Sequence, residues 1–244
     1  MTTHPTLGPL IEAVLEESGY RENPYFRELA SGGFSREDFL ETQYQFYRVV
    51  TFFSRPMAAL AAKIPTPELR LEVVRNLWEE HGEGDPARVH GTTFLELLAR
   101  LRPEAPRPLA VALEERSQWP ECRVFNTLLI GVCGLDEYLP GVGVMGIIER
   151  MFAEISAWIG RGIVTRGWLT EERMIHYSLH EELDLKHSGD FFAILEKSWD
   201  RSARARYEIE QGLRMGALAF NQLFDGLYRA RARRAMREPP EAAR

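Results

Sequence analysis

The stretch IHYSLHEELDLKH, residues 175–187, holds three of the chain's six histidines, His176, His180 and His187, together with Asp184. On a helix that turns by about 100° per residue, His180, Asp184 and His187 fall within roughly 60° of one another. Two imidazoles and a carboxylate on one face can meet at a common ion, whereas Glu181 and Glu182 project to the sides. Nitrogen and oxygen donors of this kind suit iron, manganese or zinc. His176 lies in line with the same face one turn earlier, where supporting a ligand is the better reading than being one.

A second cluster, NLWEEHGEGDPARVH over 76–90, offers several acids and two histidines, and helical phase selects among them. Leu69, Val73 and Leu77 form an apolar stripe that Glu80 continues, while Glu79 extends the polar row of Glu68, Glu72 and Arg75. A carboxylate on a buried stripe is costly unless it is paired, hydrogen-bonded or metal-bound. His90 leads the apolar row Phe94, Leu97 and Leu101 of the next helix. Alone it would read as a core histidine; beside Glu80 across a short Gly-rich turn it reads as a ligand. In VGVMGIIERMFAEI, 142–155, Arg150 and Glu154 can pair four residues apart, which leaves Glu149 on the face of Met145, Phe152 and Ser156 without a local partner.

Three carboxylates and three imidazoles from four helices are more than one ion takes from protein while keeping a position open, but they suit two ions bridged by a carboxylate. The ferritin-like arrangement, with Glu-x-x-His on each of two helices, is absent; Asp184-x-x-His187 is its nearest counterpart and occurs once.

These residues need helices to hold them, and helical periodicity runs through the chain with no alternation that demands a strand. Helices are expected near 7–18, 22–31, 36–63, 67–82, 86–102, 106–117, 121–134, 137–164, 170–198 and 200–236. Pro65 and Pro67 divide the third from the fourth, and Gly82, Gly84, Asp85 and Pro86 make a turn whose Asp caps the following helix. Ser35 starts the third helix with Asp38 three residues on. The expected class is all-α, a single helical domain over 1–236 followed by a disordered tail, 237–244, REPPEAAR. In the third helix, Tyr44, Tyr47, Arg48 and Arg55 are candidates for lining a substrate cavity, although aromatic stripes at helical spacing are most often core.

At 244 residues, 45% hydrophobic and 27% charged, the chain has the composition of a globular protein. A net charge of −6 and a pI near 5.6 lack the basic patch that nucleic acids or anionic membranes attract. Neither a signal peptide nor a membrane span is readable, so a cytoplasmic location is expected. Cys122 and Cys133, eleven positions apart on one helix, read as reduced core thiols, and a homodimer is expected from the frequency of two-fold oligomers.

The order Glu80, His90, Glu149, His180-x3-Asp184-x2-His187 resembles the heme-oxygenase-like di-iron oxidases, and NLWEEHGEGDPARVH is similar to the characteristic segment of their iron-containing redox enzymes. The resemblance spans 76–187. It implies a heme-oxygenase-like helical bundle binding two Fe(II) ions, with manganese able to replace one or both, through those six residues. It also implies dioxygen as co-substrate, a small organic substrate, and an external reductant where turnover requires one. Relatives include an oxidase that converts fatty acids to terminal alkenes, enzymes that fragment amino acids, an N-oxygenase of nitrosourea assembly and the chlamydial para-aminobenzoate synthase. The further carboxylate of the N-oxygenase has no counterpart in TFFSRP (51–56), and the synthase's lysine has none in RMFAEISAWIG (150–160). The alternative is a metal-free, thiaminase-like hydrolase or small-molecule-binding protein of the same fold, in which Cys122 or Cys133 would matter. A heme oxygenase would need a histidine near the start, and His4 lies in the terminus.

Overall fold

Asn23 and Ser35 show how local chemistry sets the frame. Each accepts a hydrogen bond from the backbone N–H of the first helical turn, at Tyr25 and Asp38 respectively, satisfying donors that have no partner within the helix. The computed structural model describes residues 6–102, 109–114 and 116–236, apart from the side chains of 110, 112, 114, 178–182 and 234–236. Ten α-helices follow in order: α1 (Leu7–Ser18), α2 (Pro24–Ser31), α3 (Arg36–Lys63), α4 (Pro67–Glu80), α5 (His90–Arg100), α6 (Leu109–Glu114), α7 (Pro120–Leu135), α8 (Tyr138–Thr165), α9 (His176–Trp199) and α10 (Ala203–Ala230). No strand occurs among the described residues. The all-α expectation holds; the tail 237–244 and His4 lie outside the described residues.

Differences from the expected boundaries have local causes. The helix expected over 67–82 stops at Glu80, because Gly82, Glu83 and Gly84 all take positive φ. The one expected over 86–102 divides into a short 3-10 turn, Pro86–Arg88, and α5, with extended Val89 between them. Asp85 caps that turn by accepting from the Ala87 N–H. Gly82 is required here: at φ 67° a side chain is strained, and a Cβ would lie 2.7 Å from the backbone of Arg88 and Val89. This crowded turn holds Glu80, the last residue of α4, next to His90, the first of α5.

Helix α8 is the centre of the fold. It is apolar nearly all round and accordingly buried, packing on α9, α10, α2, α3 and α7. Small residues let α10 approach closely: a Cβ on Gly212 would sit 2.4 Å from the Pro140 carbonyl oxygen. In an exposed helix Gly→Ala gains about 1 kcal/mol, but overpacking against backbone costs about 1–3 kcal/mol, so the sign should reverse. Gly212→Ala is expected to lower the midpoint of thermal unfolding, followed by circular dichroism, by several degrees; an increase would show that the α8–α10 contact can yield.

Candidate metal centre

Helices α4, α5, α8 and α9 bring five of the six expected ligands into one buried region. Glu80, Glu149 and His187 each offer a donor atom, and the three atoms lie within 4.8 Å of one another. His90 Nδ1 is 2.9 Å from Glu80 Oε1. Asp184 is buried on α9 one turn before His187 and shares a cavity wall with Glu80, His90 and Glu149. The backbone of His180 belongs to α9 one turn earlier still, and its side chain is outside the described residues, as are those of Glu181 and Glu182.

The electrostatics show what the cluster lacks. Burial, then the neighbouring Asp184 and Glu80 carboxyls, push the Glu149 carboxyl well above its usual range. Burial works against a charge on His90, yet the adjacent Glu80 carboxylate, helped by Asp184 and Glu79, holds its pKa above the ordinary histidine value. Two polar atoms, Glu149 Oε1 and His187 Nδ1, are buried without a hydrogen-bond partner among the described residues. A carboxyl whose ionisation burial and its neighbours suppress, beside ligand atoms left without a hydrogen bond, is matched by an added cation.

Glu79, which helical phase assigned to the polar row, contributes to this centre. Its Oε2 lies 2.6 Å from His187 Nε2, and its other oxygen accepts from Lys186. Burial works the other way, but the hydrogen bonds from Lys186 and His187 keep the Glu79 carboxyl below its usual range. An ionised Glu79 accepts, so His187 carries its proton on Nε2. When the ring is neutral, it presents the Nδ1 lone pair on its Glu149 side, 3.9 Å from Oε2. A carboxylate that orients a metal-binding imidazole in this way is a recurring device. Finding it requires the α4–α9 register, which no local pattern encodes.

His176 opens α9 and is fully buried, with Nδ1 3.0 Å from Thr93 Oγ1 and its ring edge-on to Phe94 at 4.7 Å. Its ring centroid is 6.3 Å from that of His90.

A partly open cavity adjoins the cluster. Apart from Glu80, His90, Glu149 and Asp184 its lining is apolar: Phe46, Val49, Val50 and Phe53 from α3, Phe125 from α7, Ile148 and Phe152 from α8, and Phe220 from α10. None of the four candidate substrate residues of α3 is in this lining, although Tyr47 and Arg48 line a separate pocket with Leu95, Leu109 and Leu113. Tyr44 is buried under the Arg116 guanidinium, 4.5 Å from the ring centroid, and Tyr47 stacks on Phe94. Arg48 donates to the carbonyls of Leu113 and Arg116, and Arg55 is exposed beside Phe52. Cys122 and Cys133 are free and buried, and burial pushes both thiols up to about 12.

Solved structures share this fold. A domain of unknown function with a heme oxygenase-like fold from Shewanella denitrificans has a TM-score of 0.75 and 11% identity, covering 98% of this chain and 97% of that one. A TenA homologue from Pseudomonas syringae pv. tomato gives 0.73 at 14% identity, with coverage of 93% and 98%. One from P. horikoshii gives 0.71 at 14%, with coverage of 92% and 99%. At such identities the likeness establishes the heme-oxygenase-like fold alone. Among curated proteins none matches the chain by sequence. No helix among the described residues is long and apolar enough to cross a membrane. The family described as "Iron-containing redox enzyme" does match, over residues 40–221, a span that includes every carboxylate and imidazole of the buried cluster, and the chain belongs to that family.

Proposed function

We propose that the protein is a di-iron oxidase or oxygenase that uses dioxygen to oxidise or fragment a small, mainly apolar organic molecule. The observation that carries this reading is the buried group of Glu80, Glu149 and His187, with His90 and Asp184 beside it. These residues would hold the metal, and His180 joins them on the sequence pattern alone. A pair of ferrous ions held there would supply the reducing power that dioxygen chemistry requires.

The chain's own residues set the conditions. Glu79 fixes the proton of His187 on Nε2 and so the direction of Nδ1. Aromatic and branched side chains line the rest of the cavity and exclude water from it. An ionised substrate group placed among them would be desolvated without a partner. The substrate therefore carries its polar group at the carboxylate and imidazole end, with an apolar body along Phe46, Phe53, Phe125 and Phe220. Manganese suits the same donors.

The metal-free, thiaminase-like alternative would call on Cys122 or Cys133. Neither is in the cavity lining, and thiols pushed up to about 12 are poor nucleophiles at neutral pH.

Protein reconstituted without oxygen is expected to hold close to two equivalents of Fe(II) and, on mixing with air, to consume oxygen with a transient near-ultraviolet or visible absorption. Folded protein with a stoichiometry near zero would remove the proposal.

A further inference from the structure

A second pocket adjoins the aromatic wall of the metal cavity. Phe152, which lines that cavity, packs against Tyr177 with ring centroids 6.3 Å apart. Tyr177 in turn lines a separate hollow of about 250 Å³ between α8 and the segment 171–177, where α9 begins. On α8 the lining runs from Ser156 through Gly160 to Arg161, an arc of roughly 140° at about 100° per residue. Ser156 marks its core edge and Arg161 its solvent edge. Across from them Tyr177 and Met174 are buried, whereas Glu171 is exposed. The hollow is therefore graded, with a hydroxyl and a ring at its inner end and two opposite charges at its rim.

Three features of this lining have no explanation in the packing. Ser156 is fully buried, and its Oγ has no hydrogen-bond partner among the described residues, although a helical serine can return its hydroxyl to the carbonyl one turn earlier. Gly160 lies inside α8, where glycine costs helix stability relative to alanine. Packing does not demand it, since a Cβ would meet Met174 Cε at 3.6 Å and Tyr177 Cβ at 3.8 Å, both ordinary contacts. What the glycine does is keep the hollow open. Arg161 and Glu171 form no ion pair, with each other or elsewhere, among the described residues. Other charges nearby are taken: Arg150 pairs with Glu154, Arg166 lies over the Trp168 ring, and Glu172 is bonded to Thr170.

Charge and hydrogen bonding together define an occupant. A lone carboxylate entering the hollow would be drawn by Arg161 and repelled by Glu171, and a lone amine the reverse. A molecule with both groups satisfies the two rim charges at once. Its far end must then offer a hydrogen bond, because an apolar tip would leave the Ser156 hydroxyl unsatisfied. We propose that this pocket binds an α-amino acid whose side chain ends in a hydrogen-bonding group. Arg161 holds the carboxylate, Glu171 the ammonium and Ser156 the side-chain terminus. Tyr177 contributes only its ring, since its hydroxyl is already given to Gln43. The size agrees, as drug-sized sites begin at roughly 300 Å³. The site is separate from the metal cluster and does not require it to be filled. Its occupant braces Met174 and Tyr177 at the start of the helix that carries Asp184 and His187.

Isothermal titration calorimetry of the full chain with L-glutamine tests this. The comparison ligands are glutaramate, which lacks the amine, γ-aminobutyramide, which lacks the carboxylate, and L-norleucine, which keeps both charges but ends in carbon. L-Glutamine is expected to bind saturably with a Kd of about 1 mM or below, and the other three about tenfold or more weakly. Arg161→Ala and Glu171→Gln should each weaken L-glutamine by about tenfold, and Ser156→Ala should lower it to the affinity of L-norleucine. Gly160→Leu, which fills the hollow, should abolish binding while circular dichroism shows the fold retained. Failure of L-glutamine to bind the wild type overturns the proposal, as does binding that survives Gly160→Leu. Binding that Gly160→Leu abolishes but Arg161→Ala and Glu171→Gln leave unchanged overturns the assignment of the two charges.

Discussion

His187→Ala is expected to leave the metal centre empty, and Glu79→Ala to weaken iron binding by about 10–100-fold through the same imidazole. His187 turns one nitrogen toward Glu149 and the other to Glu79. Removing Glu79 frees the ring to rotate or exchange tautomers, so iron still binds, but to a ligand that is no longer pre-set. Once His187 is gone, Glu79 has nothing to orient. The double variant should therefore be no worse than His187→Ala alone, whereas independent contributions would add. Glu79→Gln keeps an acceptor for the Nε2 proton and should fall between Glu79→Ala and wild type. The measurement is an anaerobic Fe(II) titration against a competing chelator for the four variants. Undiminished affinity in Glu79→Ala would reduce the Glu79–His187 contact to a surface ion pair, and full iron in His187→Ala would sink the ligand assignment.

That contrast marks where the sequence was legible and where it was not. Helical phase put Glu80 on the stripe of Val73 and Leu77, and the residue is buried there beside His90. Glu149 was recognisable as the acid left over once Arg150 and Glu154 were paired, and those two do pair. In each case the deciding information lay within two turns of one helix. Glu79 was beyond reach because its partners, Lys186 and His187, are on α9, and the registration of α4 against α9 is a tertiary fact. The cavity wall escaped for another reason. Helix α3 carries aromatic or apolar residues around most of its circumference, so phase alone could not choose Phe46, Val49, Val50 and Phe53 over Tyr44, Tyr47 and Arg48. The class and most helix limits were readable from caps and prolines, as at Ser35 and Pro67. The Gly82–Asp85 turn shifted the ends of two helices because three consecutive positive φ values depend on how closely the chain passes Arg88 and Val89.

Glu149→Gln is expected to abolish iron binding while making the metal-free protein more stable. In the wild type, burial and the adjacent Asp184 and Glu80 raise the Glu149 pKa in the folded state, whereas in the unfolded chain it returns to about 4.3. The folded state thus holds this proton more tightly than the unfolded state does. The stabilisation is complete below the unfolded pKa and is lost progressively as pH rises toward the folded value. Metal-free wild type should accordingly lose stability as pH rises above about 5, and iron should restore it by binding only the folded state. An amide of the same shape does not titrate and can donate to Asp184, so the metal-free variant should unfold about 2–4 °C higher for each kcal/mol gained at pH 8. A gain of about 1–3 kcal/mol is the scale for replacing a poorly compensated buried charge, and it should shrink toward pH 5. Iron uptake by the wild type should release protons, because the carboxyl must ionise to become a ligand. Calorimetric titration with Fe(II) in two buffers of different ionisation enthalpy counts them, and thermal unfolding across pH gives the stability curve. If the variant kept its iron, or melted below the metal-free wild type at pH 8, Glu149 would not be the strained carboxyl at the centre of the cluster.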